Sequence, residues 1–76
     1  MSKIKPIHYK KLVLFFEKNG FVYDRTEGDH IIFIKKGVLR PIVIPMYSEV
    51  PIFIVLNNLK SAQIDQMQYR IFFKLN

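Results

Sequence analysis

Two connections in the middle of the chain constrain its fold more than any other feature. Residues 21–25, 30–35 and 40–44 are rich in β-branched and aromatic side chains, with period-two or continuous apolar patterning, and read as strands Phe21–Arg25, His30–Lys35 and Arg40–Ile44. They are separated only by Thr26-Glu27-Gly28-Asp29 and by a turn at Lys36-Gly37. A parallel crossover needs a dozen or more residues, so neighbouring strands must be antiparallel. Pro41 cannot donate to a ladder, which puts the third strand at an edge or Pro41 on its unpaired side, and Pro45 ends it.

Helices flank this block. Between His8 and Asn19 the apolar residues Leu12, Phe15 and Phe16 recur at spacings of three and four, while Lys10, Lys11, Glu17 and Lys18 fall elsewhere on the wheel. Pro6 suits the approach to this helix. Asn19-Gly20 suits its left-handed cap, with Phe21 placed to fold back on the last turn. Residues Pro51–Ser61 carry strand-forming Ile52, Phe53, Ile54 and Val55. The spacing of Ile52, Leu56 and Leu59 favours a helix there, with those residues inward. Asp65 is placed to cap a last short helix, Gln66–Leu75, in which Met67, Ile71 and Leu75 form a row broadened by Tyr69, Phe72 and Phe73. The expectation is one α+β domain over residues 1–76: helix, three-stranded antiparallel sheet, helix, short C-terminal helix.

Half of the 76 residues are hydrophobic, enough for one small core and against disorder. The longest uncharged stretch, Val50–Leu59, is far short of the roughly 20 residues of a membrane span. The lysines among Met1–Pro6 are followed by His8, Lys10 and Lys11, where an export signal needs an apolar run. The absence of cysteine excludes disulfides and thiolate chemistry and suits a reducing compartment. The cytoplasm is the expected location, with no membrane association. Twelve Lys and Arg against six Asp and Glu give a net charge of +6, which favours a polyanionic partner, nucleic acid or an acidic protein.

Several chemistries are unsupported. Ser2, Ser48, Ser61 and Thr26 sit in no nucleophile elbow. Two histidines distant in sequence, without carboxylates at ligand spacing, do not make a metal centre, and Gly20, Gly28 and Gly37 form no phosphate-cradling loop. No cofactor or metal is expected. His30 remains as the candidate for proton transfer: it follows Gly28-Asp29 at the start of a strand, where the sheet holds the ring while its edge meets solvent. The plainer reading is a polar residue on an exposed strand face. His8 at a helix start reads as a cap or surface group. Arg25, Lys35, Lys36, Arg40 and Lys60 are candidates to follow a phosphate backbone, against the alternative of a solvated face. Tyr23 and Tyr47 are the aromatics considered for base stacking.

The order Phe16-Glu17-Lys18-Asn19-Gly20-Phe21, Arg25, Gly28-Asp29-His30-Ile31-Ile32, Arg40-Pro41-Ile42-Val43-Ile44-Pro45 and Asn57-Asn58-Leu59-Lys60-Ser61-Ala62 resembles the HicA family of bacterial toxins across nearly the whole chain. The resemblance implies a double-stranded-RNA-binding-like fold and a metal-independent endonuclease for messenger RNA, the toxin of a type II toxin–antitoxin system. It implies inhibition by a HicB antitoxin and a reactive histidine in a Gly-Ser-His motif, matched by His30. Asp29 replaces the serine of that motif. Pro45-Met46-Tyr47 replaces its Pro-x-His, and Phe53-Ile54-Val55-Leu56 replaces Gly-Thr-Leu-Arg, removing a basic contact. Two other readings stand beside it: an RNA-binding module that does not cut, and a basic interaction subunit that docks an acidic partner.

Overall fold

The computed structural model describes residues 4–75; Ser2 and Lys3, weighed above, lie outside them. The order is α1 (Tyr9–Lys18), β1 (Val22–Glu27), β2 (His30–Ile34), β3 (Ile42–Pro45), α2 (Ile52–Ala62) and α3 (Gln66–Phe72). The strands form one antiparallel sheet in the order β1-β2-β3, so β3 is an edge strand and Pro41 lies just outside it. This is the α+β arrangement expected from the patterning.

α1 begins at His8, whose Nδ1 accepts the Lys10 N–H at 3.1 Å, the cap role anticipated for it. It ends in a Schellman arrangement: the Phe21 N–H reaches the Phe16 carbonyl at 3.0 Å and the Gly20 N–H the Glu17 carbonyl at 3.1 Å. Gly20 supplies the positive φ of 90° this requires, and the Phe21 ring packs on Phe16 with centroids 5.5 Å apart. Leu12, Phe15 and Phe16 are 0–1% exposed. Each such burial contributes about 1.5–3 kcal/mol. They meet Phe33, Ile42 and Ile44 of the sheet and Val55, Leu59 and Ala62 of α2 in a single core.

The expected inward faces of the last two helices are corrected. In α2 the buried residues are Val55, Asn58, Leu59 and Ala62, while Ile52 is 39% exposed. In α3, Met67 and Ile71 point outward at 59% and 68% exposure, and Tyr69 is the buried residue. Asp65 does cap α3, accepting from the Met67 N–H at 2.9 Å. The helix then stops at Phe72 and Lys74 turns left-handed, so Leu75 never completes the Met67–Ile71 row. The Phe15 ring selects the face instead, lying 5.1 Å from Tyr69, 5.2 Å from Phe72 and 5.9 Å from Phe73. Both helices had apolar residues on more than one face, and only packing partners choose among them.

Candidate active site

The β1–β2 hairpin is tighter than its sequence suggests. Thr26 and Glu27 belong to β1, Glu27 pairs with His30, and only Gly28 and Asp29 form the loop. Gly28 sits at φ 60°, the positive angle that a two-residue hairpin turn of the II′ kind asks of its first position. The Asp29 carbonyl accepts the Met46 N–H at 2.7 Å, which ties the loop to the end of β3.

Because Asp29 is a turn residue, the rule that adjacent strand residues face apart does not separate it from His30. Its Oδ1 lies 2.8 Å from His30 Nδ1. A carboxylate at that distance favours the tautomer with its proton on Nδ1, in which Nε2 is the basic nitrogen. The His30 side chain is 42% exposed, so the ring meets solvent. Backbone pairing with Glu27 and Pro45 fixes where the ring springs from, and the carboxylate lies beside it.

A register shift shapes the rest of the site. Tyr23 pairs with Phe33 but Arg25 pairs with Ile32, so Asp24 is the extra residue of a bulge. The shift puts Arg25 and Glu27 on the His30 face of the sheet, opposite the face that carries Phe33 and Ile31 into the core. Arg25 Nε then donates to Glu27 Oε2 at 2.5 Å and its NH1 nitrogen to Asp24 Oδ2 at 2.5 Å. Glu27 first, and Asp24 with it, raises the Arg25 pKa above its ordinary value. Arg25, expected as a free phosphate contact, is thus already paired with two carboxylates. Neither Asp24 nor Glu27 was singled out from the sequence; the alternation Asp24-Arg25-Thr26-Glu27 is the signal that marks them.

The other expected cations lie elsewhere. Lys35 follows β2 and Arg40 precedes β3, each five residues from His30 or from its partner Pro45, up to about 16 Å of extended chain. They do not reach a phosphate at His30. Lys35 Nζ donates to the Asn19 carbonyl at 2.8 Å and lies 5.7 Å from the Phe21 ring centroid, closing the C-terminus of α1. Lys36 is exposed in the turn that ends at Val38, whose N–H reaches the Lys35 carbonyl at 3.0 Å. Arg40 and Lys60 come together in a groove of about 600 Å³ between the lead-in to β3 and the end of α2. Tyr23, considered for stacking, is held by its hydroxyl 2.7 Å from Thr26 Oγ1; Tyr47 is 41% exposed.

Among the described residues there is no cluster of three or more His, Cys, Asp or Glu able to hold a metal ion, and no helix is long and apolar enough to cross a membrane. No curated protein matches the chain. Residues 9–64 do match the family model described as HicA toxin of bacterial toxin–antitoxin, a span from the first residue of α1 through the end of α2 that includes the Asp29–His30 pair and the Arg40–Lys60 groove. The chain therefore belongs to the HicA family, the toxins of bacterial toxin–antitoxin systems, and membership implies a cognate antitoxin as its partner.

Proposed function

We propose that this toxin is a metal-independent endonuclease acting on messenger RNA in the cytoplasm, with His30 as its proton-transfer group, and that a HicB-like antitoxin holds it inactive. The observation that carries this reading is the 2.8 Å contact between Asp29 and an imidazole left open to solvent at the end of the central strand. With Nδ1 committed to the carboxylate, Nε2 takes the proton of an RNA 2′-hydroxyl. That oxygen attacks the adjacent phosphorus, the 5′-oxygen leaves with a proton from solvent, and a 2′,3′-cyclic phosphate remains. Dependence on the 2′-hydroxyl selects RNA over DNA. Arg25, two strand positions from the partner of His30 and on the same face, is the cation placed to meet charge on the reacting phosphate once Glu27 or Asp24 yields it.

The test is purified protein with messenger RNA in excess chelator, comparing the parent with His30→Ala. A positioned base contributes about 10² to 10⁴-fold, so the variant should lose that much of the cleavage rate while keeping its circular dichroism spectrum. Equal cleavage by the folded variant would sink the assignment. RNA bound but left intact by the parent would select the non-catalytic module; association only with an acidic protein, weakening with salt, would select the interaction subunit.

A further inference from the structure

The groove at the far end of the sheet has properties that the His30 site lacks. Its lining, Leu39, Arg40, Asn57, Lys60, Ser61 and Gln63, contains no carboxylate. Among the described residues neither Arg40 nor Lys60 lies within ion-pair distance of an acid, in contrast with Arg25. No internal hydrogen bond engages the side chains of Arg40, Asn57, Lys60, Ser61 or Gln63 among those residues, so two charged and three neutral polar groups remain available. Gln63 ends α2 at φ 60° and ψ 38°, left-handed backbone where glycine is the relaxed choice. The chain thus keeps a side chain, and its amide, at a position that disfavours one. A lysine in the last turn of a helix complements the helix dipole, which accounts for Lys60 alone; Arg40 comes from a loop and gains nothing from that dipole.

Taking the ribonuclease reading as its premise, we infer that this groove is a subsite for the phosphodiester backbone of single-stranded RNA, separate from the phosphate that reacts at His30. Arg40 precedes Pro45, the partner of His30, by five residues, through the lead-in to β3 and the edge strand itself, a separation of up to about 16 Å. A stacked strand rising about 3.4 Å per nucleotide covers that distance within about five nucleotides. The protein therefore grips its substrate within about five nucleotides of the bond it cuts. The acids around His30 oppose phosphate binding there, and the groove supplies the attraction that the reacting end lacks.

Binding is measured by fluorescence anisotropy in the His30→Ala background, with a single-stranded RNA of roughly 12 nucleotides and a salt series. Arg40→Ala with Lys60→Ala should weaken binding about ten- to a hundredfold near 0.1 M salt and flatten the log–log salt slope by about 1.4, two contacts at about 0.7 each. Lys5→Ala with Lys11→Ala removes the same charge from a different cleft and should change far less. Affinity and slope equal to those of this charge-matched control would overturn the subsite. In the active chain, the groove substitutions should slow cleavage of the long RNA but not of a trinucleotide; equal slowing of both would also overturn it. If the parent cuts no RNA while the slope still falls as stated, the ribonuclease reading fails and the groove stands.

Discussion

The two ends of the sheet differ in charge and in what their charged groups are doing. At the β1–β2 hairpin, Asp24, Glu27 and Asp29 surround Arg25 and His30, and each acid contacts one of those two side chains. At the other end Lys18, Lys35, Lys36, Arg40 and Lys60 gather where α1 and α2 finish, with Glu17 as the nearby acid in sequence. Acids thus outnumber the cation at the histidine's end and cations outnumber the acid at the other, while residues such as Lys5, Lys10 and Lys11 add to the net charge of +6 elsewhere. A basic composition announces a polyanionic partner but not where that partner is held. Here the oriented imidazole and the unpaired cations are separated, which assigns chemistry to one end and grip to the other.

The largest effect expected lies between the ends, in the packing that fixes their separation. Burial pushes the Tyr69 hydroxyl up to about 12, against about 10 in an unfolded chain. The native state therefore keeps its proton through a window where the unfolded state has lost it. Stability from this group is intact below about pH 10 and is lost as pH rises toward 12, by as much as about 3 kcal/mol. Urea unfolding across that window should show Tyr69→Phe losing less stability than the parent. Parallel pH curves for the two would remove Tyr69 as the cause.

Next, Asp29→Asn should reduce RNA cleavage about 10- to 100-fold, the range seen when carboxylates that orient metal-bound imidazoles are removed. RNA affinity should hold or rise, because a negative charge leaves the hairpin. A fall in affinity with unchanged turnover would reverse the division between the ends. At the cationic end, Gly20→Ala forces a Cβ into left-handed backbone at φ 90°, 3.1 Å from Lys35 Cε. The lysine tip can move aside but the backbone cannot, so a loss of about 1–2 kcal/mol is expected in denaturant unfolding. Lys35→Met removes the bond to the Asn19 carbonyl and should cost about 1 kcal/mol of stability. If Lys35 is a cap rather than an RNA contact, the salt slope of RNA binding will not change; a flatter slope would move Lys35 into the binding surface.

Much of the fold was legible in residue order. The spacing of Leu12, Phe15 and Phe16, the Asn19-Gly20 stop and the short connections after Thr26 and Lys36 lead to the observed element order, because local hydrogen bonding and loop length act within a few residues. The inward faces of α2 and α3 were not legible: Ile52, Met67 and Ile71 are as apolar as Val55 and Tyr69, and only the position of Phe15 and the sheet ranks them. Within the site, His30 was found from its place after a turn. Its contact with Asp29 was not legible, because placing Asp29 in the connection does not say which way its side chain turns; the geometry of the two-residue loop decides that.

The sequence by itself determined the element types, the antiparallel sheet, the caps at His8, Gly20 and Asp65, and the membership that follows from its motif order, since each depends on neighbours in the chain. The tertiary structure alone decided which cations are free. One bulged residue, Asp24, turned Arg25 toward its own carboxylates, folding laid Lys35 on the end of α1, and the approach of β3 to α2 brought Arg40 to Lys60. Arg25 pairs with its own neighbours in the chain, but the placing of Lys35 and of Arg40 beside Lys60 depends on distances of a few ångströms between segments remote in sequence, which no local pattern encodes.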